Sequence, residues 1–560
     1  RKLSNILIVV YKEKNDLENM ISRILLINSP RISSDVLNAD TSSTYYEVYP
    51  PLGILYISSM IKRELQNVEV QVFDLHFEGI KYFHNRKKVD WIKLCKKRIE
   101  EFQPDLIGIS VIFGASFSYA KSVGIAIKEL FPKVVTVGGG VHITGIANDE
   151  DVSVFCDFVS LFESEYHFLG LIKYLNNQQN YLKGIVVNNE SLIRNKGDVL
   201  PDIERPERLD DIPAPDFGAV DLGNYYKYGI LSAEQTTSRD IPKATMLTSR
   251  GCVGNCKFCS VRSFNGIMVR AHSPERVLNE IDTLYNEFGI GHIDFVDDDF
   301  THNRKRINAI LDGLIERHYL LTWSLANGVR VGTLTEEILD KMVKSGCTYF
   351  SIGIESGNQN ILKEMRKPLT IELLRRKIPL LHKYNEIYYR ANFMVGFPGE
   401  TLEQMENTFS LAEEIALDWS VFSICTPLPD TDLYNEILKN SSDFNSGMTD
   451  YSFASSKGML VDKEKEDYIF DLVYTNNLKI NFKNNINLKG RNIERAVKDF
   501  ERVVKIAKDH AFAWNCLAKG YKALCMSEKE EGAVKETNKI IEKNPYWRKK
   551  FEEIDFAIEN

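Results

Sequence analysis

Apolar runs of six to eight residues alternate with amphipathic stretches from the N-terminus to residue 175. The runs are rich in Val and Ile and predict strands, whereas stretches 52–65, 91–102 and 118–131 have the spacing of helices. Strands of this kind, separated by helices, are typical of a parallel sheet covered on both faces, so we predict a doubly wound α/β domain. The predicted strands are 5–10, 68–74, 105–111, 133–140 and 157–162.

A second region, from residue 243 to residue 440, repeats a strand followed by a helix six times. Six such units predict a partial (β/α)6 barrel, and barrel enzymes place their chemistry at the carboxyl ends of the strands. The predicted strands are 244–250, 292–299, 322–328, 349–356, 388–398 and 419–429.

The rest of the chain lacks this alternation. Residues 183–196 predict a hairpin, the proline-rich stretch 200–217 predicts a linker, and residues 488–560 predict an α-helical tail. The tail approximates one and a half tetratricopeptide repeats, with an unrelated helical hairpin as the alternative. One and a half repeats are too few to form an independent solenoid. We therefore expect them to dock on the barrel or on another subunit. The repeat positions are Trp514, Leu517, Ala518, Tyr521, Ala533 and Pro545. The expected segments are 1–180, 181–240, 241–440, 441–487 and 488–560.

Composition narrows the class of protein. The chain has 560 residues, of which 44% are hydrophobic and 26% charged, as in ordinary globular proteins. The formal net charge of -8 argues against bulk binding of nucleic acid, because basic residues are not in excess. No apolar run reaches 18 residues, and the N-terminal apolar stretch is too short for a secretory signal. We therefore expect a cytoplasmic protein with no membrane span.

Three of the nine cysteines, Cys252, Cys256 and Cys259, fall within eight positions. A structural zinc site usually needs a second pair of Cys or His ligands, and none lies nearby in the sequence. Three thiolates spaced C-x3-C-x2-C suit three irons of a 4Fe-4S cluster and leave the fourth iron open. The scattered cysteines are expected to be buried free thiols: Cys95, Cys156, Cys347, Cys425, Cys516 and Cys525.

This cysteine string, directly after the first strand of a six-unit barrel and with Phe258 before its last Cys, resembles the radical S-adenosylmethionine (SAM) superfamily. The resemblance implies that SAM chelates the open iron and is cleaved reductively to a 5′-deoxyadenosyl radical. It also implies a low-potential electron donor such as flavodoxin or ferredoxin.

The same resemblance predicts SAM-binding residues at other strand ends. A carboxylate in the run Asp297, Asp298 and Asp299 would contact the SAM ammonium, with a plain acidic turn as the alternative. Glu355 would bind both ribose hydroxyls, because an unpaired carboxylate at a strand end is costly. Gly396, Pro398 and Gly399 would accompany the adenine, or simply turn the chain into the next helix. The stretch 429–434 departs from the Pro-Gly-Thr that the family often has after its sixth strand.

The front domain resembles the Rossmann-like cobalamin-binding domain found ahead of many radical SAM barrels, through stretches 50–61, 104–111 and 134–145. The resemblance implies a cobalamin site at Leu52, Gly53, Ser110, Gly138, Gly139, Gly140 and Glu163. Phe162 and Ser164 stand where many members have glycines. Residues 74–79 satisfy D-x-H-x-x-G, but the string follows the second predicted strand rather than the first, so we expect His76 to be a loop residue and not a cobalt ligand.

Three functions fit this architecture. The first is a cobalamin-dependent radical SAM methyltransferase that methylates an unactivated carbon of a small-molecule or peptide substrate. The second is a radical SAM cyclase or rearrangement enzyme of the same architecture, as in anaerobic porphyrin ring formation, or a member without cobalamin. The third, a scaffold that uses the helical tail for a protein partner or for self-association, gives no reason to keep three clustered cysteines.

Overall fold

The computed structural model describes residues 20–39, 48–193, 199–200, 203–228, 241–440 and 463–559. The described residues form two compact units. Unit 1 contains residues 20–228 with the short segments 263–266 and 438–440, and unit 2 contains the others. Among the described helices, none combines the length and the apolar character that crossing a bilayer requires.

Unit 1 is built on a six-stranded sheet with the order β2-β1-β3-β4-β5-β7. Neighbouring strands are parallel except for β5 and β7, which are antiparallel. The strand order reverses beside β1, which confirms the predicted doubly wound class and opens a crevice at the carboxyl ends of β1 and β3. The strands are β1 Arg23–Asn28, β2 Glu69–Asp74, β3 Leu106–Ser110, β4 Val135–Gly139, β5 Phe158–Ser160, β6 Leu182–Lys183, β7 Ile185–Val187 and β8 Val199–Leu200.

Helices cover this sheet, and apolar side chains of α3, α4 and α5 pack against residues of β1 and β3 in one buried core. The helices are α1 Ser34–Ala39, α2 Leu52–Glu64, α3 Leu75–His84, α4 Trp91–Phe102, α5 Phe117–Leu130, α6 Val141–Gly145, α7 Glu150–Ser153, α8 Ser164–Leu175 and α9 Tyr225–Tyr228.

Two features of unit 1 differ from the sequence predictions. The strand β1 (Arg23–Asn28) was not predicted, although it lies between β2 and β3, and the strand predicted at 5–10 lies outside the described residues. The hairpin predicted at 183–196 is wrong for the described strands, because β7 pairs with β5 and β6 pairs with β8. Distant partners therefore satisfy the backbone groups that a local hairpin would have used.

Unit 2 contains a six-stranded parallel sheet with the order β16-β15-β14-β13-β12-β9. A strand forms within or overlapping each of the six stretches predicted from the sequence, and helices follow them in the order expected for a partial barrel. The strands are β9 Lys243–Met246, β10 Ser249–Arg250, β11 Arg270–Ala271, β12 His292–Phe295, β13 Thr322–Val329, β14 Cys347–Glu355, β15 Tyr388–Val395 and β16 Trp419–Ile424. The helices are α10 Val261–Asn265, α11 Pro274–Phe288, α12 Arg304–Glu316, α13 Glu336–Lys344, α14 Gln359–Glu364, α15 Ile371–Leu381, α16 Leu402–Ile415 and α17 Asp432–Asn440.

The tail is helical and packs on the edge strand β16. Asn481 lies in a π-helical turn and pairs with the backbone of Ser420, accepting from its N–H at 2.8 Å and donating to its carbonyl at 2.6 Å. The Tyr388 hydroxyl donates to Asp499 at 3.1 Å. The tail thus covers an edge whose backbone groups would otherwise lack partners. Its helices are α18 Lys463–Leu478, α19 Ile493–Ile506, α20 Ala511–Ala523, α21 Ser527–Lys543 and α22 Pro545–Glu553, and the tetratricopeptide assignment stays a prediction.

Candidate functional site

The cysteine loop begins directly after β10, at Gly251. This glycine has φ of +93°, and a Cβ there would lie 2.5 Å from the carbonyl oxygen of Met268, so only glycine fits without strain. Its N–H donates to a carboxylate oxygen of Asp298 at 2.9 Å. The start of the loop is therefore fixed to the segment that follows β12.

The three cysteines lie on one side of this loop. The N–H of Gly254 donates to Sγ of Cys252 at 3.3 Å, and a Cβ on Gly254 would lie 3.4 Å from that sulfur and 3.8 Å from Sγ of Cys256. Burial raises the pKa of all three thiols, to about 11 for Cys259, and neighbouring cysteines raise the pKa values of Cys256 and Cys259 further. Thiols this close together and this desolvated ionise only with a compensating positive charge, which a metal centre supplies.

The donor set fits an iron–sulfur cluster better than zinc. A tetrahedral zinc ion with Zn–S bonds of ~2.3 Å would draw its thiolates to about 3.8 Å from one another. Zinc would also need a fourth Cys or His ligand, and no second pair lies near the loop in the sequence. A cubane cluster instead binds each thiolate through a different iron, and three cysteines on one loop leave its fourth iron open.

Backbone contacts place the loop over the carboxyl ends of other barrel strands. The N–H of Lys257 donates to the carbonyl of Met365 at 3.0 Å, and its own carbonyl accepts from Leu433 at 2.9 Å. Phe258 packs on the apolar cluster formed by Ile361, Met365, Phe397, Cys425 and Leu433. The predicted aromatic residue is thus anchored among segments that follow β14, β15 and β16.

Asp297 is hydrogen-bonded to the turn that precedes the cysteine loop. It accepts hydrogen bonds from the backbone and hydroxyl of Thr248 and from the N–H of Ser249, at 2.5, 2.6 and 2.8 Å. Burial raises its pKa to about 6, although the nearby Arg306 and these hydrogen bonds lower it. The side chain is committed to holding the turn between β9 and β10, so its predicted contact with SAM is not supported by this geometry.

Asp299 is placed differently. One carboxylate oxygen lies 2.8 Å from Nε of Arg330 and 4.0 Å from Sγ of Cys252. The other oxygen is buried and accepts no hydrogen bond from any described residue. A buried carboxylate oxygen without a donor is costly and indicates a missing ligand group. Of the three predicted aspartates, Asp299 therefore offers the best position for a cationic ligand group beside the cysteines, because Asp298 already binds Gly251.

Glu355 ends β14 in the left-handed region, with φ of +70°, and pairs with Lys367 at 2.7 Å. Desolvation lowers the pKa of Lys367, but Glu355 and the thiols Cys256 and Cys259 outweigh it, so the net shift is upward. Sequence reasoning missed this lysine. Its only signal was a basic residue twelve positions after the strand end, and the structure brings it between the carboxylate and the thiols.

The turn after β15 is organised by Glu400, which was also missed. Its carboxylate accepts from the N–H groups of Gly396 and Phe397 at 2.6 and 3.1 Å, and burial raises its pKa to about 7. Gly396 and Gly399 both have positive φ, of +75° and +81°. Pro398 and Gly399 are exposed, and a Cβ on Gly399 would meet nothing within 4 Å. These residues make the turn and leave open space beside it.

In unit 1, the predicted cobalamin residues divide into two sets. Gly138 and Gly140 are required by packing, because a Cβ would lie 2.7 Å from Sγ of Cys156 in one case and 2.5 Å from the carbonyl of Val111 in the other. Gly53, at the start of α2 beside Leu52, has no atom within 4 Å of a Cβ, and for Gly139 the nearest atom is 3.6 Å away. Room therefore exists at the carboxyl edge of the sheet.

Residues around this edge fit a bound group. Ser110 ends β3, and its carbonyl accepts from the N–H of Ser29 after β1 at 3.2 Å, so the two strands that flank the crevice are joined there. Both Nη atoms of Arg31 are buried without a hydrogen-bond partner in the described residues, while its guanidinium carbon lies 3.8 Å from the ring centroid of Tyr49. The ring of the cofactor predicted here carries amide groups that could accept from such donors.

Two predicted residues of unit 1, Glu163 and His76, are buried, and a third, Phe162, has an unusual backbone conformation. Glu163 is buried and lies 3.6 Å from Arg205, so its carboxylate already has a protein partner. Phe162, at a position where relatives often have glycine, adopts φ of +54°, a conformation that costs a bulky residue about 1–2 kcal/mol. The prediction that His76 is a loop residue is wrong, because Asp74 caps α3 directly after β2 and His76 is buried in the first turn of that helix, with Nδ1 3.4 Å from the N–H of Arg31.

Comparison with known proteins gives the same two regions. Residues 246–412 match the Radical SAM superfamily and residues 41–172 match the B12 binding domain. An uncharacterized methyltransferase of Pyrococcus horikoshii is 30% identical over 75% of this chain and 84% of its own length. The cytidylyl-2-hydroxyethylphosphonate methyltransferase of Streptomyces wedmorensis is 26% identical over 74% of this chain and 82% of its own length. The anaerobic magnesium-protoporphyrin IX monomethyl ester cyclase of Rubrivivax gelatinosus is 28% identical over 67% of this chain and 66% of its own length.

Solved structures with the same fold have low sequence identity. The cobalamin-dependent SAM radical enzyme OxsB, with aqua-cobalamin bound, matches at a TM-score of 0.61 and 16% identity over 93% of this chain and 81% of that one. The radical SAM methyltransferase TsrM from Kitasatospora setae matches at a TM-score of 0.58 and 17% identity, over 75% of this chain and 78% of that one. The sequence relationship and the two matched regions together identify the chain: it belongs to the radical SAM superfamily, as a member that also carries a B12 binding domain.

Proposed function

We propose that this protein is a cobalamin-dependent radical SAM methyltransferase acting on an unactivated carbon of a small-molecule or peptide substrate. The observation that carries the proposal is the placement of three partly buried cysteine thiols on one loop, with Sγ of Cys252 4.0 Å from a carboxylate, Asp299, whose other oxygen accepts no hydrogen bond from the described residues. Sequence similarity to two methyltransferases supports transfer of a methyl group rather than another radical reaction.

In this proposal, Cys252, Cys256 and Cys259 hold a 4Fe-4S cluster that supplies the electron for reductive cleavage of SAM. Asp299 accepts hydrogen bonds from the SAM ammonium, because one of its carboxylate oxygens is buried without a donor in the described residues and a charge-assisted bond would satisfy it. Lys367, which carries positive charge next to the thiols, is suited to the SAM carboxylate.

The adenosine half of SAM is assigned to the ends of β14 and β15. Glu355 would bind the ribose hydroxyls with its second oxygen while the first stays on Lys367. The turn at Gly396, Pro398 and Gly399 would lie along the adenine, with Glu400 fixing its backbone. Phe258 holds the cysteine loop in place above these strand ends.

Cobalamin, bound at the carboxyl edge of the unit 1 sheet, would carry the methyl group. Leu52, Gly53, Ser110 and Gly139 border the open space there, and the buried Nη atoms of Arg31 would gain acceptors. Gly138 and Gly140 act through packing, and Glu163 stays with Arg205, so their contributions are to shape rather than to direct contact.

The protein would need a low-potential electron donor such as flavodoxin or ferredoxin. All nine cysteines are free thiols, which suits a reducing compartment such as the cytoplasm.

Anaerobic reconstitution tests the proposal. The chain should bind about four irons and make 5′-deoxyadenosine from SAM under a low-potential reductant, and the triple variant Cys252→Ala, Cys256→Ala, Cys259→Ala should make none. A matched control, Cys525→Ala, removes an exposed cysteine outside the loop and should leave the product unchanged. Continued formation of 5′-deoxyadenosine by the triple variant would overturn the assignment.

A cyclase of the same architecture is the second candidate, because a relative named as a cyclase aligns over 67% of this chain. The two reactions differ in the fate of the SAM methyl group. A methyltransferase places a labelled methyl from SAM in the product and releases S-adenosylhomocysteine, whereas a cyclase does neither.

A further inference from the structure

The strand β15 presents two different faces. Phe393 stacks on Phe422 with 5.3 Å between ring centroids, and Phe422 contacts Phe409 of α16, so that face packs against the helices. Side chains alternate along a strand, so the intervening residues face the inside of the curved sheet. The helix-facing residues Tyr389, Ala391, Phe393 and Val395 are all buried, whereas Arg390, Asn392 and Met394 are partly exposed.

Arg390 has a guanidinium without a polar partner. The guanidinium carbon lies 5.7 Å from the ring centroid of Tyr349, and Nε is buried. The guanidinium forms neither a hydrogen bond nor an ion pair with the described residues. Asp294, whose charge also acts on Tyr349, accepts from Ser324 through one carboxylate oxygen, and none of the ion pairs of the described residues joins it to Arg390. Partly desolvating a cation without an acceptor is unfavourable, so this position suits an anion supplied from outside the chain.

Arg306 is an example of an arginine with a structural role in this chain. Its Nε donates to the carbonyl of His272 and an Nη donates to the carbonyl of Thr248, both at 2.8 Å. Arg390 has no comparable acceptor in the described residues and occupies a partly exposed position of β15. Its guanidinium is therefore available to a ligand.

Asn392 lies two residues further along the same face, and its amide also has no hydrogen-bond partner among the described residues. Met394, two residues beyond, packs on the apolar cluster that also holds Phe258 of the cysteine loop. At ~3.3 Å per residue, Arg390 and Met394 are separated by about 13 Å along the strand. The polar face therefore leads from the interior of the barrel to the edge of the cysteine loop.

We propose that this face binds the substrate, and that the substrate carries a carboxylate or phosphate held by Arg390. The inference rests on the proposed function and specifies its substrate class. A planar guanidinium matches both anions through two parallel hydrogen bonds, and the guanidinium carbon of Arg390 lies 5.7 Å from the ring centroid of Tyr349. Asn392 then recognises a polar group next to the anion, and the reacting carbon lies within about 13 Å of it, nearer the cysteine loop.

Equilibrium dialysis tests this assignment with the reconstituted full chain in the presence of SAM. The probes are labelled pyrophosphate for the phosphate case and labelled succinate for the carboxylate case. Arg390→Gln should weaken binding of one probe at least tenfold and Arg390→Lys less, because lysine keeps the charge but loses the paired hydrogen bonds. Arg375→Gln, which removes an exposed arginine paired with Glu414, should leave binding unchanged.

The probe whose binding is lost identifies the anion. Failure of wild-type protein to bind either probe, or equal binding by wild type and Arg390→Gln, would overturn the inference. Thermal unfolding separates a structural role: Arg390→Gln should unfold at the wild-type temperature or above it, and a lower midpoint with intact probe binding contradicts a ligand role. Formation of 5′-deoxyadenosine by wild type and Arg375→Gln is measured in parallel, and its absence rejects the proposed function independently of the probe result.

Discussion

Replacing Asn481 by Ala should destabilise unit 2 by about 2–6 kcal/mol. The side chain bonds both the N–H and the carbonyl of Ser420, at 2.8 and 2.6 Å, and both partners are buried. Alanine leaves two backbone groups without partners, and each buried, unsatisfied group costs ~1–3 kcal/mol. The loss comes from the edge strand, because the opposite edge of β16 still pairs with β15.

Urea unfolding of the full chain, followed by tryptophan fluorescence, measures this loss, since Trp419 begins β16 and Trp514 and Trp547 lie in the tail. Asn476→Ala is the matched control: it removes an asparagine whose side chain bonds only the carbonyl of Leu472 in its own helix, at 2.9 Å. We expect the control to lose about 1 kcal/mol or less. Equal losses in the two variants would refute the argument that Asn481 completes the sheet edge.

Three further changes have defined outcomes. Asp299→Asn should raise the dissociation constant for SAM at least tenfold in equilibrium binding while the iron content stays constant. Asp312→Asn, which changes an ion-paired residue of α12, should leave both the dissociation constant and the iron content unchanged. Burial raises the pKa of Asp499 from 3.8 to about 7, so the folded chain holds this proton more tightly than the unfolded chain and stability is lost as pH rises through that window. Asp499→Asn should therefore match wild type near pH 4 and exceed it by up to about 4 kcal/mol at pH 8 in urea unfolding; a constant difference would contradict the sign. His76→Ala, loaded with hydroxocobalamin, should keep the wild-type cobalt content and electron paramagnetic resonance signal, whereas loss of nitrogen splitting would assign the histidine to cobalt.

The barrel strands were predictable because short stretches that contain apolar residues recur at regular intervals between amphipathic helices. The strand β1 was not, since its six residues resemble the nearby apolar run 5–10 and only the sheet order shows that it is central. The antiparallel pairing of β7 with β5 joins residues that no local pattern connects. Pairing partners, unlike strand identity, depend on the packed sheet.

At the cysteine site too, contacts between residues far apart in the sequence could not be predicted. Spacing alone grouped Cys252, Cys256 and Cys259, because residues so close in sequence must share a loop. The roles of the aspartates could not be assigned, since Asp297 meets Thr248 across 49 positions of the chain. Lys367 was missed for a similar reason, because a lone lysine in a sequence carries no sign of the carboxylate that it will meet.

The closure of β16 by Asn481 also has a consequence for the order of events during synthesis. Ser420 is synthesised 61 residues before Asn481. At ~5–20 residues per second, the free edge of β16 waits about 3–12 seconds for the side chain that covers it. Neighbouring nascent chains on one messenger RNA present the same uncovered strand during that interval, and an uncovered strand pairs readily with another copy. Chaperone demand should therefore concentrate on chains stalled between these two residues.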